Sequence, residues 1–155
     1  MRVVLQRVSR AAVRVRGEAV GEIARGFLLL VGVGSEDPPG EERRLAEKIV
    51  HLRVFEDDDG KMNRSLDEVA GSVLVVPQFT LYGDVRKGRR PSWIGAAPPE
   101  VASERVESLC RELESFGAPV ERGAFREHME VELVNDGPVT LMIDAADLPG
   151  GRVGR

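Results

Sequence analysis

The side chains that most often do covalent chemistry are scarce in this chain. There are two histidines, His51 and His128, and one cysteine, Cys110. These three are scattered, whereas a structural zinc site needs about four closely spaced ligands. No Ser-His-Asp relay is suggested either. His51 lies between Val50 and Leu52 on an expected helix and reads as structural. His128 comes just before Met129 and could reach a pocket, but its spacing implies no metal. Thr80, in Pro77-Gln78-Phe79-Thr80, is an attractive nucleophile on paper. A threonine hydroxyl needs a base beside it, and no histidine is near in sequence.

Other motifs fail on inspection. Gly32-Val33-Gly34 has the start of a dinucleotide fingerprint, but Asp37 holds the third glycine's place. Counting back from Gly60 in the acidic run at 56–60 puts Phe55 at the first ligand position of a calcium loop. The carboxylates are plentiful but form no diagnostic acid/base pair. No metal and no cofactor is expected. Arg86, Lys87, Arg89 and Arg90 put four positive charges into five positions, beside Pro91 and Trp93. Alone, such a run is a solvated face. It could also hold phosphates while a base or sugar stacks on Trp93. The net charge of −4 argues against coating nucleic acid by bulk charge and leaves room for a local patch.

The elements that must position these residues are legible from periodicity. Val3, Leu5, Val13 and Val15 alternate with polar neighbours, as in a half-buried strand. The pattern breaks at Gly17-Glu18 and resumes over 19–24. The apolar run 27–33 reads as a strand buried on both faces, and is far too short to cross a bilayer. Residues 41–53 look helical, with Leu45, Ile49 and Leu52 on one face. Residues 72–81 give a strand signal up to Pro77. A basic loop spans 83–97. A second helix spans 99–116, with Pro99 in its first turn and Gly117 as its cap. Met129, Val131 and Leu133 mark a strand with one wet side. Asn135-Asp136-Gly137-Pro138 alone reads as a hairpin turn before a last strand, 139–144.

Many strands with two well-separated helices give an α+β class with the helices on one side of the sheets. A chain of 155 residues suits one domain, 1–147, with a loose tail at 148–155. The N-terminus lacks the apolar core of a signal peptide, and the lone cysteine can form no internal disulfide. A reducing cytoplasm is therefore the expected location, and no membrane is expected as a partner.

Five segments in register change the functional reading. They are VVPQFTLYGD (75–84), VNDGPVT (134–140), QRVSRAAVRVRG near the start, GKMN (60–63) and KGRRPSW (87–93). Together they resemble the D-aminoacyl-tRNA deacylase family, from residue 1 to about residue 143. The family has Ser-Gln-Phe-Thr where this chain has Pro77-Gln78-Phe79-Thr80. A proline there resembles the related animal tRNA deacylase, in which alanine replaces the phenylalanine; Phe79 keeps this chain with the main family. A second departure is Arg126-Glu127-His128 after Phe125, where the family has small residues.

The resemblance implies a layered β/β/α fold: barrel-like paired sheets, mostly antiparallel, with two helices on one side. It implies a homodimer acting on aminoacyl-tRNA and hydrolysing the ester of a D-amino acid or of mischarged glycine. Backbone N–H groups around Phe79 and Thr80 then face the developing oxyanion, and Gln78 shapes that side. The tRNA's own 2′-hydroxyl replaces a catalytic side chain. Gly137-Pro138, in cis form, enters the other subunit's site and selects handedness, Arg7 steadies it, and Met129 lines the adenosine pocket. The Arg86, Lys87, Arg89, Arg90 and Trp93 loop touches the tRNA. Two other readings stay open: a non-catalytic tRNA- or RNA-binding dimer, and a small-ester hydrolase with Thr80 as nucleophile.

Overall fold

In the computed structural model, residues 1–150 are described. Strand β1 (Arg2–Val15) is followed by β2 (Glu18–Ile23) and β3 (Gly26–Gly32). Helix α1 (Glu41–Val50) leads to a small hairpin of β4 (Phe55–Glu56) and β5 (Met62–Arg64). Strand β6 (Ser72–Pro77) runs into a 3-10 turn, Phe79–Tyr82. Helix α2 (Pro99–Ser115), β7 (Val120–Arg122) and β8 (Glu130–Asp144) complete the fold.

The main sheet runs β2-β1-β3-β6-β7, with β8 on the other side of β1. All three partners of β1 are antiparallel to it, whereas β3–β6 and β6–β7 are parallel. The sheet curls on itself. A Cβ on Gly21 of β2 would stand 2.7 Å from the Arg122 carbonyl of β7, so the missing side chain lets those strands touch.

That curl explains the apolar pattern of β3 and β6. Phe27, Leu29, Val31, Val73 and Val75 face the helices, where they join Leu45, Ile49, Leu109 and Leu113 in one core. Leu28, Leu74 and Val76 point the other way and join Val8, Ala11, Val13 and Ile23 inside the curl. Each fully buried Leu or Val contributes roughly 1.5–3 kcal/mol over an exposed one. Both strands therefore read as continuous apolar runs. The helix termini follow local rules: Pro99 occupies the first turn of α2, and Gly117 follows its end at φ +89°.

One expectation is corrected. The segment Asn135–Pro138 is no hairpin turn, because β8 is one strand of 15 residues. Its residues pair with β1 from Arg2↔Asp144 to Gln6↔Thr140, and again from Val8↔Asn135 to Arg14↔Glu130. Residues 136–139 bulge out between the two stretches. A long β1 holds both halves of β8, so the turn-forming dipeptides make a bulge rather than a reversal. Strand β6 lies between β3 and β7, and Pro77 is tolerated as its last residue. The expected tail begins at Leu148, and its last five residues lie outside the described residues.

Candidate functional site

A cleft of about 740 Å³ opens beyond the ends of β3 and β6. Val31, Val76, Gln78, Phe79, Trp93 and Met129 are among its lining residues. The site thus joins a strand end, the basic loop's exit and the segment before β8. Phe79 and Trp93 meet edge to face, 5.3 Å between centroids and 74° between planes. Phe79 is 55% exposed and the neighbouring Ile94 90% exposed, an apolar lip that water alone does not favour.

Among the described residues, the ionisable side chains lining this cleft are Arg126, Glu127 and His128. Arg126 lies 3.5 Å from Glu100, and Glu127 lies 3.6 Å from Arg16. The departure from small residues therefore gives an apolar cleft one charged wall. Arg126 itself stands at φ +65°. Among the described residues no group of histidine, cysteine or carboxylate side chains could hold a metal.

Main-chain groups at the rim are left open as well. The Gln78 N–H donates to the Val31 carbonyl at 2.7 Å, ending the sheet ladder. The next two N–H groups, on Phe79 and Thr80, meet no acceptor among the described residues. They open a 3-10 turn, whose first donors have no partner within it. The Gln78 side-chain amide donates to the Thr80 hydroxyl. No histidine, amine or carboxylate bonds to that hydroxyl among the described residues, so nothing there activates it as a nucleophile. Thr80 is exposed and outside the cleft's lining.

Arg7, Gly137 and Pro138 form a second cluster, absent from the cleft's lining. The Gly137–Pro138 peptide is cis, with Gly137 at φ +127°. Both residues are exposed on the bulge of β8. Arg7 is 4% exposed and braces them from below. Its Nε donates to the Asp136 carbonyl at 3.0 Å and its Nη1 to the Val54 carbonyl at 2.6 Å. The Asn135 side-chain amide donates to the Arg7 carbonyl at 2.9 Å and the Val139 carbonyl at 3.0 Å, tying off the bulge. Asn135 was missed as a site residue. The signal was an asparagine opening a turn-like run, where its amide can bond nearby backbone.

The basic loop is closed by backbone bonds between Asp84 and Ser92, at 2.8 and 2.9 Å. Arg86 forks onto the Asp84 carboxylate at 2.9 and 2.7 Å, which holds that carboxyl down at about 2. Arg86 therefore staples the loop. Lys87, Arg89 and Arg90 are exposed and form no ion pair among the described residues.

Fold and cleft define the class: an α+β layer structure with a largely apolar cleft, one wall of which carries Arg126, Glu127 and His128. The family described as D-Tyr-tRNA(Tyr) deacylase matches residues 4–144, and the chain belongs to that family. It is 58% identical over 151 residues to a D-aminoacyl-tRNA deacylase of Thermomicrobium roseum, covering 97% of this chain and 98% of that protein. It is 58% identical over 148 residues to the D-aminoacyl-tRNA deacylase of Desulforudis audaxviator, covering 96% and 99%. Among solved structures it resembles the c-Myc DNA Unwinding Element Binding Protein, with TM-score 0.87, 39% identity, and coverage of 93% and 98%.

Proposed function

We propose that this chain is a cytoplasmic D-aminoacyl-tRNA deacylase working as a homodimer. It hydrolyses the ester between a D-amino acid, or mischarged glycine, and the terminal ribose of tRNA. The observation that carries this reading is the exposed Gly137–Pro138 bulge braced by Arg7, in a family whose members are named for this activity. Family membership supports the reaction, and the geometry supports the roles.

The adenosine end of the tRNA enters the apolar cleft beside Met129. Water adds to the acyl carbon, and the carbonyl oxygen becomes an oxyanion. The free N–H groups of Phe79 and Thr80 receive that charge, each such donor being worth roughly 10²- to 10³-fold in rate. The vicinal 2′-hydroxyl of the terminal adenosine assists the proton transfer. The C–O bond to the ribose then breaks, giving the amino acid and free tRNA. Gln78 shapes the oxyanion side.

Selection comes from the partner subunit's copy of the bulge. The Gly137 and Pro138 carbonyls take the substrate's α-ammonium and stand where an L side chain would lie. A D side chain, or glycine's hydrogen, points away. Backbone carbonyls do not read side-chain identity, so many D-amino acids are substrates. The apolar exposure of β8, with Met142 83% exposed, fits a face that a second copy covers. Lys87, Arg89, Arg90 and Trp93 contact the acceptor end of the tRNA.

The test is hydrolysis of D-Tyr-tRNA against L-Tyr-tRNA. Release of D-Tyr with the L-ester spared supports the reading, and equal cleavage of both refutes the selector. The second reading, a non-catalytic RNA-binding dimer, draws on the three unpaired cations of the loop. Tight tRNA binding without ester turnover would favour it.

A further inference from the structure

The turn that carries the Phe79 and Thr80 donors has little to hold it. None of its four residues is buried. The local backbone bonds that cross its ends are Leu81 N–H to the Gln78 carbonyl at 3.3 Å and Gly83 N–H to the Thr80 carbonyl at 3.0 Å. Donors can stabilise an oxyanion only if they are already aimed when charge develops. Something outside the turn must fix it.

Gly32-Val33-Gly34, rejected above as a nucleotide fingerprint, lies directly beneath. A Cβ on Gly32 would stand 3.0 Å from both the Gln78 carbonyl and the Leu81 Cβ. A Cβ on Gly34 would stand 2.5 Å from Cε1 and 2.8 Å from Cζ of Tyr82. The two glycines make a flat seat on which the turn and the Tyr82 ring rest. The Tyr82 hydroxyl then donates to Asp37 Oδ2 at 2.8 Å. That same oxygen accepts the Gly34 N–H at 2.5 Å and lies 2.9 Å from the Met1 α-ammonium. The Arg2 guanidinium lies 4.5 Å from the centre of the Tyr82 ring and donates to the Leu81 carbonyl at 3.2 Å. Tyr82 is thus gripped at its ring, at its hydroxyl and through the backbone before it.

We propose that Tyr82, clamped by Asp37 and Arg2 on the Gly32–Gly34 seat, is a positioning residue that aims the Phe79 and Thr80 amides at the reacting ester. Its role rests on the deacylase reading, but its mechanical part does not. The hydroxyl bond to an anchored carboxylate is of the stronger, charge-assisted kind. Its loss lets the turn open locally while both cores stay intact.

The experiment is Tyr82→Phe, which keeps the ring and removes the hydroxyl. With D-Tyr-tRNA, kcat falls about tenfold, as the loss of one charged hydrogen bond allows. KM and the preference for D- over L-ester stay within about twofold, because the adenosine pocket and the Gly–Pro selector are untouched. Amide exchange at Leu81 and Gly83 rises by a similar factor, about tenfold, while β6 amides keep their protection. Gly34→Ala, which drives a methyl into the Tyr82 ring, gives the same pattern by a different route. A wild-type kcat in Tyr82→Phe, or unchanged exchange at Leu81 and Gly83, overturns the proposal. Should the wild-type protein itself fail to cleave D-Tyr-tRNA, the deacylase reading falls, and the exchange measurement still decides whether Tyr82 holds the turn.

Discussion

Replacing Gly137 with alanine puts one methyl into the bulge, and its cost can be worked from the surroundings. The new Cβ would stand 2.7 Å from Arg7 Nη2 and 2.9 Å from Val139 Cγ2, at φ +127°. Arg7 cannot simply swing aside, because its Nη1 and Nε are bonded to the Val54 and Asp136 carbonyls. Either the backbone leaves its present conformation, at roughly 1–3 kcal/mol of strain if held, or Arg7 loses a charged hydrogen bond worth about 1.5–3 kcal/mol. For a chain of this length such a loss lowers Tm by roughly 3–10 °C. Both outcomes displace the Gly137 and Pro138 carbonyls. A shift near 1 Å at a reacting centre costs on the order of 10²-fold in rate. The assay is thermal melting together with hydrolysis of D-Tyr-tRNA and L-Tyr-tRNA. The variant is expected to remain folded, to melt lower, and to lose D-ester turnover by about that factor. A lower Tm with full D-ester turnover and full discrimination would show that the bulge is structural and selects nothing.

Thr80→Val removes the hydroxyl but keeps the backbone N–H. Its deacylation rate is expected to stay within about threefold of wild type, since no base activates that oxygen. A loss beyond about 10³-fold in a steady-state assay would reinstate a threonine nucleophile. Replacing Lys87, Arg89 and Arg90 together by alanine should raise KM for tRNA and leave kcat unchanged. The slope of log(kcat/KM) against log salt should become shallower by about 2, near 0.7 for each lost phosphate contact with a single strand. Arg86→Ala should behave differently, opening the loop rather than flattening the slope, because Asp84 already neutralises it. The Asp84 carboxyl is held down at about 2 by Arg86, below its unfolded value. A depressed carboxyl gives stability that is present above the unfolded pKa and lost as pH falls through the folded one. The loop is therefore expected to stay closed at pH 4 and to open toward pH 2, as followed by the side-chain NMR signals of Arg86.

Much of this frame was legible because local rules and tertiary needs agree. The run at 27–33 announces a strand buried twice over, and the curled sheet supplies a core on each side of it. Pro99 and Gly117 bracket α2 within a residue or two of their expected places. The site was less legible. Asn135-Asp136-Gly137-Pro138 carries turn chemistry, and only the length of β1 decides that the chain bulges and continues. Arg86 is indistinguishable in sequence from Lys87, Arg89 and Arg90, yet a carboxylate two residues earlier takes it out of service. Tyr82 and the glycines at 32 and 34 lie nearly fifty positions apart, so no periodicity links them. Strand β7 was unforeseen, because three partly exposed residues leave no alternation to count.

The central claim is that a Gly137–Pro138 segment from one protomer guards the cleft of another, and mixed dimers test it most directly. Gly137→Trp spoils the selector and leaves that protomer's cleft intact. Met129→Trp fills the cleft and leaves that protomer's selector intact. Each homodimer should be inactive on D-Tyr-tRNA. Random exchange of subunits in equal mixture then restores one whole site in half of the dimers, about one quarter of wild-type activity. Recovery to that level, with the L-ester still spared, is the result expected; a mixture as inactive as its parents, formed from dimers shown to have exchanged, would contradict the account.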